Sequence, residues 1–147
     1  MIVDTSVAMA ILRGEREGRS FAEIMELEEG ARGQAPGAGR RAARQATLKM
    51  SVASYVEAGV AMDAARNPVV SRQLDELIRI AGIELRPVTV EQARLAREAY
   101  RDFGRGSGHA AKLNLGDCYA YALAKELGEP LLFQGAGLAE TDVEAAV

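Results

Sequence analysis

The 147-residue sequence predicts one α/β domain with a mainly parallel central sheet flanked by helices. Three observations carry this expectation. Short apolar runs suited to buried strands lie at Met1–Val3, Leu48–Ala53, Ile83–Val88 and Leu131–Phe133. The segments between them have helical composition and spacing, as in strands joined by helical crossovers. Carboxylates also fall where helices begin: Asp4 after the first run, Glu57 after the second, and Asp117 ahead of the most apolar helix. In a parallel sheet such junctions converge at one end.

Composition narrows the classes. With 48% apolar and 27% charged residues, the chain has the makings of an ordinary globular core. A net charge of −3 gives no global positive field, so any nucleic-acid contact has to come from a local patch. One cysteine excludes an internal disulfide and a multi-cysteine zinc site, and suits a reducing cytoplasm, where the chain is expected to reside. No apolar run approaches membrane-spanning length, and the start MIVDTSVAMAILRGE lacks the positive region of a signal peptide.

Taken in order, Asp4-Thr5-Ser6 closes the first strand and opens a helix beginning with the apolar run Val7–Leu12. Asp4 reads equally as a helix cap or as a site acid. Glu15–Glu29, with Phe21, Ile24, Met25 and Leu27 among many charges, reads as an amphipathic helix. Gly33–Thr47 (GQAPGAGRRAARQAT) changes character: its first half is expected to be a flexible loop, and Arg40–Gln45 a loop or a marginal helix. Its Arg40, Arg41 and Arg44 form the one dense basic cluster, either a solvated loop or an RNA-phosphate contact.

The second strand, Leu48–Ala53, is expected to end at Ser54, with a helix from Tyr55 to Ala65 and Glu57 in its first turn. Pro68 starts a further helix that closes at Gly82. Ile83–Val88 is a short strand whose Pro87 marks an edge or an end. Thr89 and Gln92 form a capping-box pattern for the next helix, with Ala93, Leu95, Ala96, Ala99 and Tyr100 as its stripe. His109 follows a glycine-rich loop and, with no second His or Cys nearby, is not a metal site.

Leu113–Glu126 (LNLGDCYAYALAKE) has Asn114 and Gly116 at a helix entrance and Asp117 in the first turn, ahead of a nearly all-apolar body. Cys118, Tyr119 and Tyr121 are expected to pack. Gly128-Glu129-Pro130 turns into the last strand, QGAGL at 134–138 forms a loop, and the tail offers one more short strand. Three converging carboxylates repel unless protons or a cation neutralise them, and an all-oxygen set suits Mg2+ or Mn2+.

In this order, MIVDTS, SYVEAG at Ser54–Gly59, LNLGDCYAYALAKE and PLLFQG resemble the PIN-domain family, and more narrowly its VapC-type ribonuclease toxins. The resemblance covers almost the whole chain. It implies a Rossmann-like α/β/α domain that dimerises and cleaves RNA with Mg2+ or Mn2+ on an acidic cluster. It also implies a VapB-type antitoxin partner whose tail blocks that cluster. Carried over by motif, the catalytic and metal-holding acids are Asp4, Glu57 and Asp117, supported by Ser6 and, from farther away, Asp142. The family's usual fourth acid falls at Gly137, so the resemblance also allows a weakened or inactive protein that binds RNA or antitoxin without cutting. A phosphotransferase with Asp4 as covalent nucleophile is a third reading, against which stands Ser6 two residues on.

Overall fold

The computed structural model describes residues 1–33 and 47–146, and side chains in the first stretch as far as residue 26. Arg40, Arg41 and Arg44 therefore lie outside the described residues. Ten regular elements follow in the order β1 (Ile2–Val3), α1 (Thr5–Leu12), α2 (Arg16–Gly33), β2 (Lys49–Ser51), α3 (Val52–Asp63), α4 (Pro68–Ile80), β3 (Glu84–Arg86), α5 (Val90–Phe103), α6 (Leu115–Leu127) and β4 (Leu131–Leu132). A short 3₁₀ turn, Leu138–Glu140, comes after β4.

The four strands form one parallel sheet in the order β3-β2-β1-β4. Register pairs Ile2 with Lys49 and Leu131, and Val3 with Leu132. Because the pleat alternates faces, consecutive apolar residues serve two layers. Ile2 and Leu131 pack with Ala96, Ala99, Cys118 and Leu123 from α5 and α6. Val3 and Leu132 pack with Val7, Phe21, Met25 and Ile83 on the other side. Strands buried on both faces explain why they read as short apolar runs rather than as alternating ones. The chain runs from β1 outward to β3, then returns to place β4 on β1's other flank. The switch in direction lies between β1 and β4, where the carboxyl ends of an open α/β sheet leave a crevice.

Several boundaries move from those expected. The second strand ends at Ser51, whose side chain accepts the Ala53 N–H and caps α3, so Val52 and Ala53 are already helical. Glu57 consequently lies in the second turn of α3. Ser54 is a buried helical residue. The serine cap outweighs the two apolar residues that follow it. At α5, Thr89 Oγ1 accepts the Gln92 N–H as expected, but the Gln92 side chain does not close the box. It is buried and donates to Glu126 Oε2 at 2.5 Å, tying the start of α5 to the end of α6. The buried face of α5 is Gln92, Ala96 and Ala99, while Ala93 and Tyr100 are exposed. The tail expectation holds as a single bridge, Leu131 with Ala145. Among the described residues no helix is long and apolar enough to cross a membrane.

Candidate active site

Asp4 leaves β1 in extended conformation and caps α1. Its two oxygens part company. Oδ2 accepts the Ser6 backbone N–H at 2.9 Å and the Ser6 hydroxyl at 2.5 Å. Oδ1 is buried with no hydrogen-bond partner among the described residues. Asp4 is 2% exposed, and burial raises its pKa despite the opposing pull of the Ser6 contacts. The cap reading of Asp4 is met by Oδ2, and Oδ1 stays outside the cap.

Asp117 repeats the arrangement on α6. Asn114 Oδ1 accepts the Asp117 N–H at 2.8 Å, and Asp117 Oδ2 accepts the Asn114 N–H at 2.8 Å. This reciprocal capping box spends one carboxylate oxygen and leaves the other outside the cap. Burial pushes the Asp117 carboxyl up. The Asn114 N–H opposes this, the charges of Asp4 and Glu57 reinforce it, and Arg105 draws it down, with a net rise to about 6.

Glu57 is held by its neighbours rather than by a cap. Thr5 Oγ1 donates to Glu57 Oε2 at 2.8 Å, with the Ser54 carbonyl as a second acceptor at 3.2 Å. On its other side, a Cβ at Gly116 would overlap the Glu57 carboxylate. The glycine lets this carboxylate lie directly against the first turn of α6, where the helix dipole favours negative charge.

These acids share one cavity of about 250 Å³, at the carboxyl ends of β1 and β4. Asp4, Ser6, Glu57 and Asp117 line it, as expected. Asp142 does not: its carboxylate accepts the Tyr121 hydroxyl at 2.6 Å and pairs with Lys125 at 2.9 Å. Gly137 is likewise absent from the lining, and a Cβ there would stand 2.9 Å from the Ala111 carbonyl oxygen. Sequence reasoning missed Thr5, Glu15 and Gln134, which also line the cavity. Thr5 lies between Asp4 and Ser6 in the MIVDTS motif, whereas Glu15 and Gln134 carry no local signal. His109 accepts the Ala111 N–H and sets its ring edge against Phe103, a structural role. Cys118 is buried, and burial together with Asp117 pushes its thiol up to about 12, so it packs rather than reacts.

A parallel α/β/α domain with an acid-lined cavity at its switch point belongs to the doubly wound class. The PIN domain family model matches residues 1–144, and the chain belongs to that family. Its relatives are VapC proteins. It is 46% identical over 147 residues to "Ribonuclease VapC28" of Mycobacterium tuberculosis, covering 100% of this chain and 98% of that protein. Against "Ribonuclease VapC42" of the same species it is 42% identical over 146 residues, covering 99% and 98%. Among solved structures, Mycobacterium tuberculosis VapC20, titled a sarcin-ricin loop cleaving toxin, matches with TM-score 0.64 and 12% identity over 97% of this chain and 95% of that one. FitAcB from Neisseria gonorrhoeae matches with TM-score 0.63 and 18% identity, covering 98% and 94%. A toxin-antitoxin complex from Klebsiella pneumoniae matches with TM-score 0.58 and 14% identity, covering 92% and 86%. At these identities the structures speak for the fold, and the sequence relatives for the VapC group.

Proposed function

We propose that this protein is a VapC-type toxin that hydrolyses RNA phosphodiester bonds with Mg2+ or Mn2+, acts as a homodimer and is neutralised by a VapB-type antitoxin. The observation that carries the reading is the convergence of Asp4, Glu57 and Asp117 from three separate elements on one cavity, with Asp4 Oδ1 buried and unpartnered among the described residues. The ribonuclease names of its relatives, and the toxin-antitoxin complex among its fold neighbours, support it.

The residues suit a hydrated hard dication. Among the described residues no three of His, Cys, Asp or Glu gather closely enough to hold an ion by themselves. Mg2+ ordinarily keeps several waters and takes one or two carboxylates plus substrate phosphate, so an open set of oxygens is the expected kind. The free oxygens of Asp4 and Asp117 are the ones that would hold it. A bound dication supplies activation of water and stabilisation of the charge that builds on the phosphodiester. Glu57, which accepts the Thr5 hydroxyl and lies against Gly116, is the group we assign to take the proton of the attacking water. Asp117, raised to about 6, is mostly ionised near neutral pH and protonates on mild acidification.

Cleavage of RNA by antitoxin-free protein, with Mn2+ or EDTA and beside Asp4→Ala, tests this reading. Cleavage that requires both the ion and Asp4 is expected; cleavage indifferent to either sinks it. A second reading, a PIN-fold protein that binds RNA or antitoxin without cutting, is favoured by one feature, the glycine at 137. A folded protein that binds RNA yet cuts nothing would select it.

A further inference from the structure

The turn between α1 and α2 brings a fourth carboxylate to the cavity. Glu15 lines it together with Asp4, Glu57 and Asp117. Its side chain is fastened there by the residue that leaves the β4 side of the crevice: Gln134 Nε2 donates to Glu15 Oε2 at 3.3 Å. The same residue's backbone N–H donates to Ser6 Oγ at 2.9 Å, and Ser6 Oγ donates to Asp4 Oδ2 at 2.5 Å. Gln134 thus links Glu15 to the hydroxyl that orients Asp4. Arg13, also at the cavity, stands 4.0 Å from Glu15 Oε1 with 59% of its side chain exposed, a loose pair that leaves the carboxylate largely unneutralised.

One feature of the same cavity points to a ligand, and a second shows which side lacks an acid. Asp4 Oδ1, in the same cavity, is buried and has no partner among the described residues. The loop after β4 supplies no acid at 137, and the Ala111 carbonyl leaves no room for a Cβ there. Where the β4 loop offers no carboxylate of its own, its Gln134 holds one from the α1–α2 turn.

We propose that Glu15, positioned by Gln134, is a further carboxylate of the divalent-cation site, on the side that the β4 loop leaves without an acid. This rests on the cation-dependent reading above. A dication that keeps part of its water shell responds to carboxylates beyond its direct ligands, which accept hydrogen bonds from that water and add negative charge.

The test is a calorimetric titration of the full, antitoxin-free chain with Mn2+, run on wild type, Glu15→Gln, Gln134→Ala and Asp4→Asn. Glu15→Gln should weaken Mn2+ binding about tenfold, with Gln134→Ala weakening it less. Glu15→Gln should leave the metal-free melting temperature in place, and its RNA cleavage should recover at saturating Mn2+. Unchanged affinity in Glu15→Gln, while Asp4→Asn loses binding, overturns the role of Glu15 and leaves the site reading standing. A loss of affinity matched by a loss of metal-free stability assigns Glu15 to the fold and overturns it too. No Mn2+ binding by wild type takes down both.

Discussion

Gly116, in the first turn of α6, leaves the space that the Glu57 carboxylate of α3 fills. The two residues lie far apart in sequence, and neither position explains itself alone. Helix propensity by itself favours alanine over glycine by about 1 kcal/mol. The contact predicts the reverse. Gly116→Ala should displace Glu57, lower the melting temperature and reduce cleavage by about 10- to 100-fold. A variant that melts higher and cuts normally would show that the two residues do not compete for space.

Thr5 is predicted to act through Glu57. Thr5→Val keeps the shape of the side chain but removes the hydroxyl that donates to Glu57 Oε2. A cost of about 1 kcal/mol in stability is expected, with slower cleavage. Thr5→Ser should restore most of both. Denaturant unfolding and RNA cleavage, measured on both variants, check the pair.

Asp4→Asn separates stability from function. Burial makes the Asp4 charge costly, and Oδ1 has no partner among the described residues. The neutral variant should melt no lower than wild type without metal, yet lose cleavage. Mn2+ should raise the melting temperature of wild type, by about 2–4 °C for each kcal/mol of linkage, and leave that of Asp4→Asn unchanged. An equal rise in both would place the ion elsewhere.

The acid pair also sets a pH dependence. Asp4 and Asp117 are both raised, Asp117 to about 6, so the folded chain binds protons that the unfolded chain has already released. Stability then falls as pH rises through this interval, and the metal-free protein should melt higher at about pH 5 than at about pH 7. Asp142, held low by Tyr121 and Lys125, works in the other direction only at still lower pH. Asp117→Asn should flatten the dependence. A melting temperature that drops on mild acidification contradicts the assignment.

Gly137→Asp supplies the acid that the resemblance implies at this position, and the structure predicts no gain in activity from it. The backbone at 137 has φ of −58°, which any residue accepts; the obstacle is the Ala111 carbonyl oxygen, 2.9 Å from the new Cβ. A loss of about 1–3 kcal/mol is expected from the forced shift, with no gain in cleavage. A stable variant with faster cleavage would instead make the missing acid a simple loss.

The α/β class, the strand runs and most helix starts were legible in the amino-acid order, because these depend on local periodicity and on caps such as Asn114 with Asp117. That order also marked Asp4, Glu57 and Asp117 as acids at junctions. It placed the α3 boundary three residues late, because apolar Val52 and Ala53 suit a buried strand as well as a helix. Which residues meet depends on the folded arrangement of the strands and helices. Parallel pairing of β1 with β4 brings Gln134 to Ser6, and the return of the chain at α2 brings Glu15 to Gln134. The packing of α3 against α6 makes Gly116 a necessity of space rather than of backbone freedom. Those partners stand up to 128 residues apart, and no local pattern encodes a contact whose geometry is set by strand order and register.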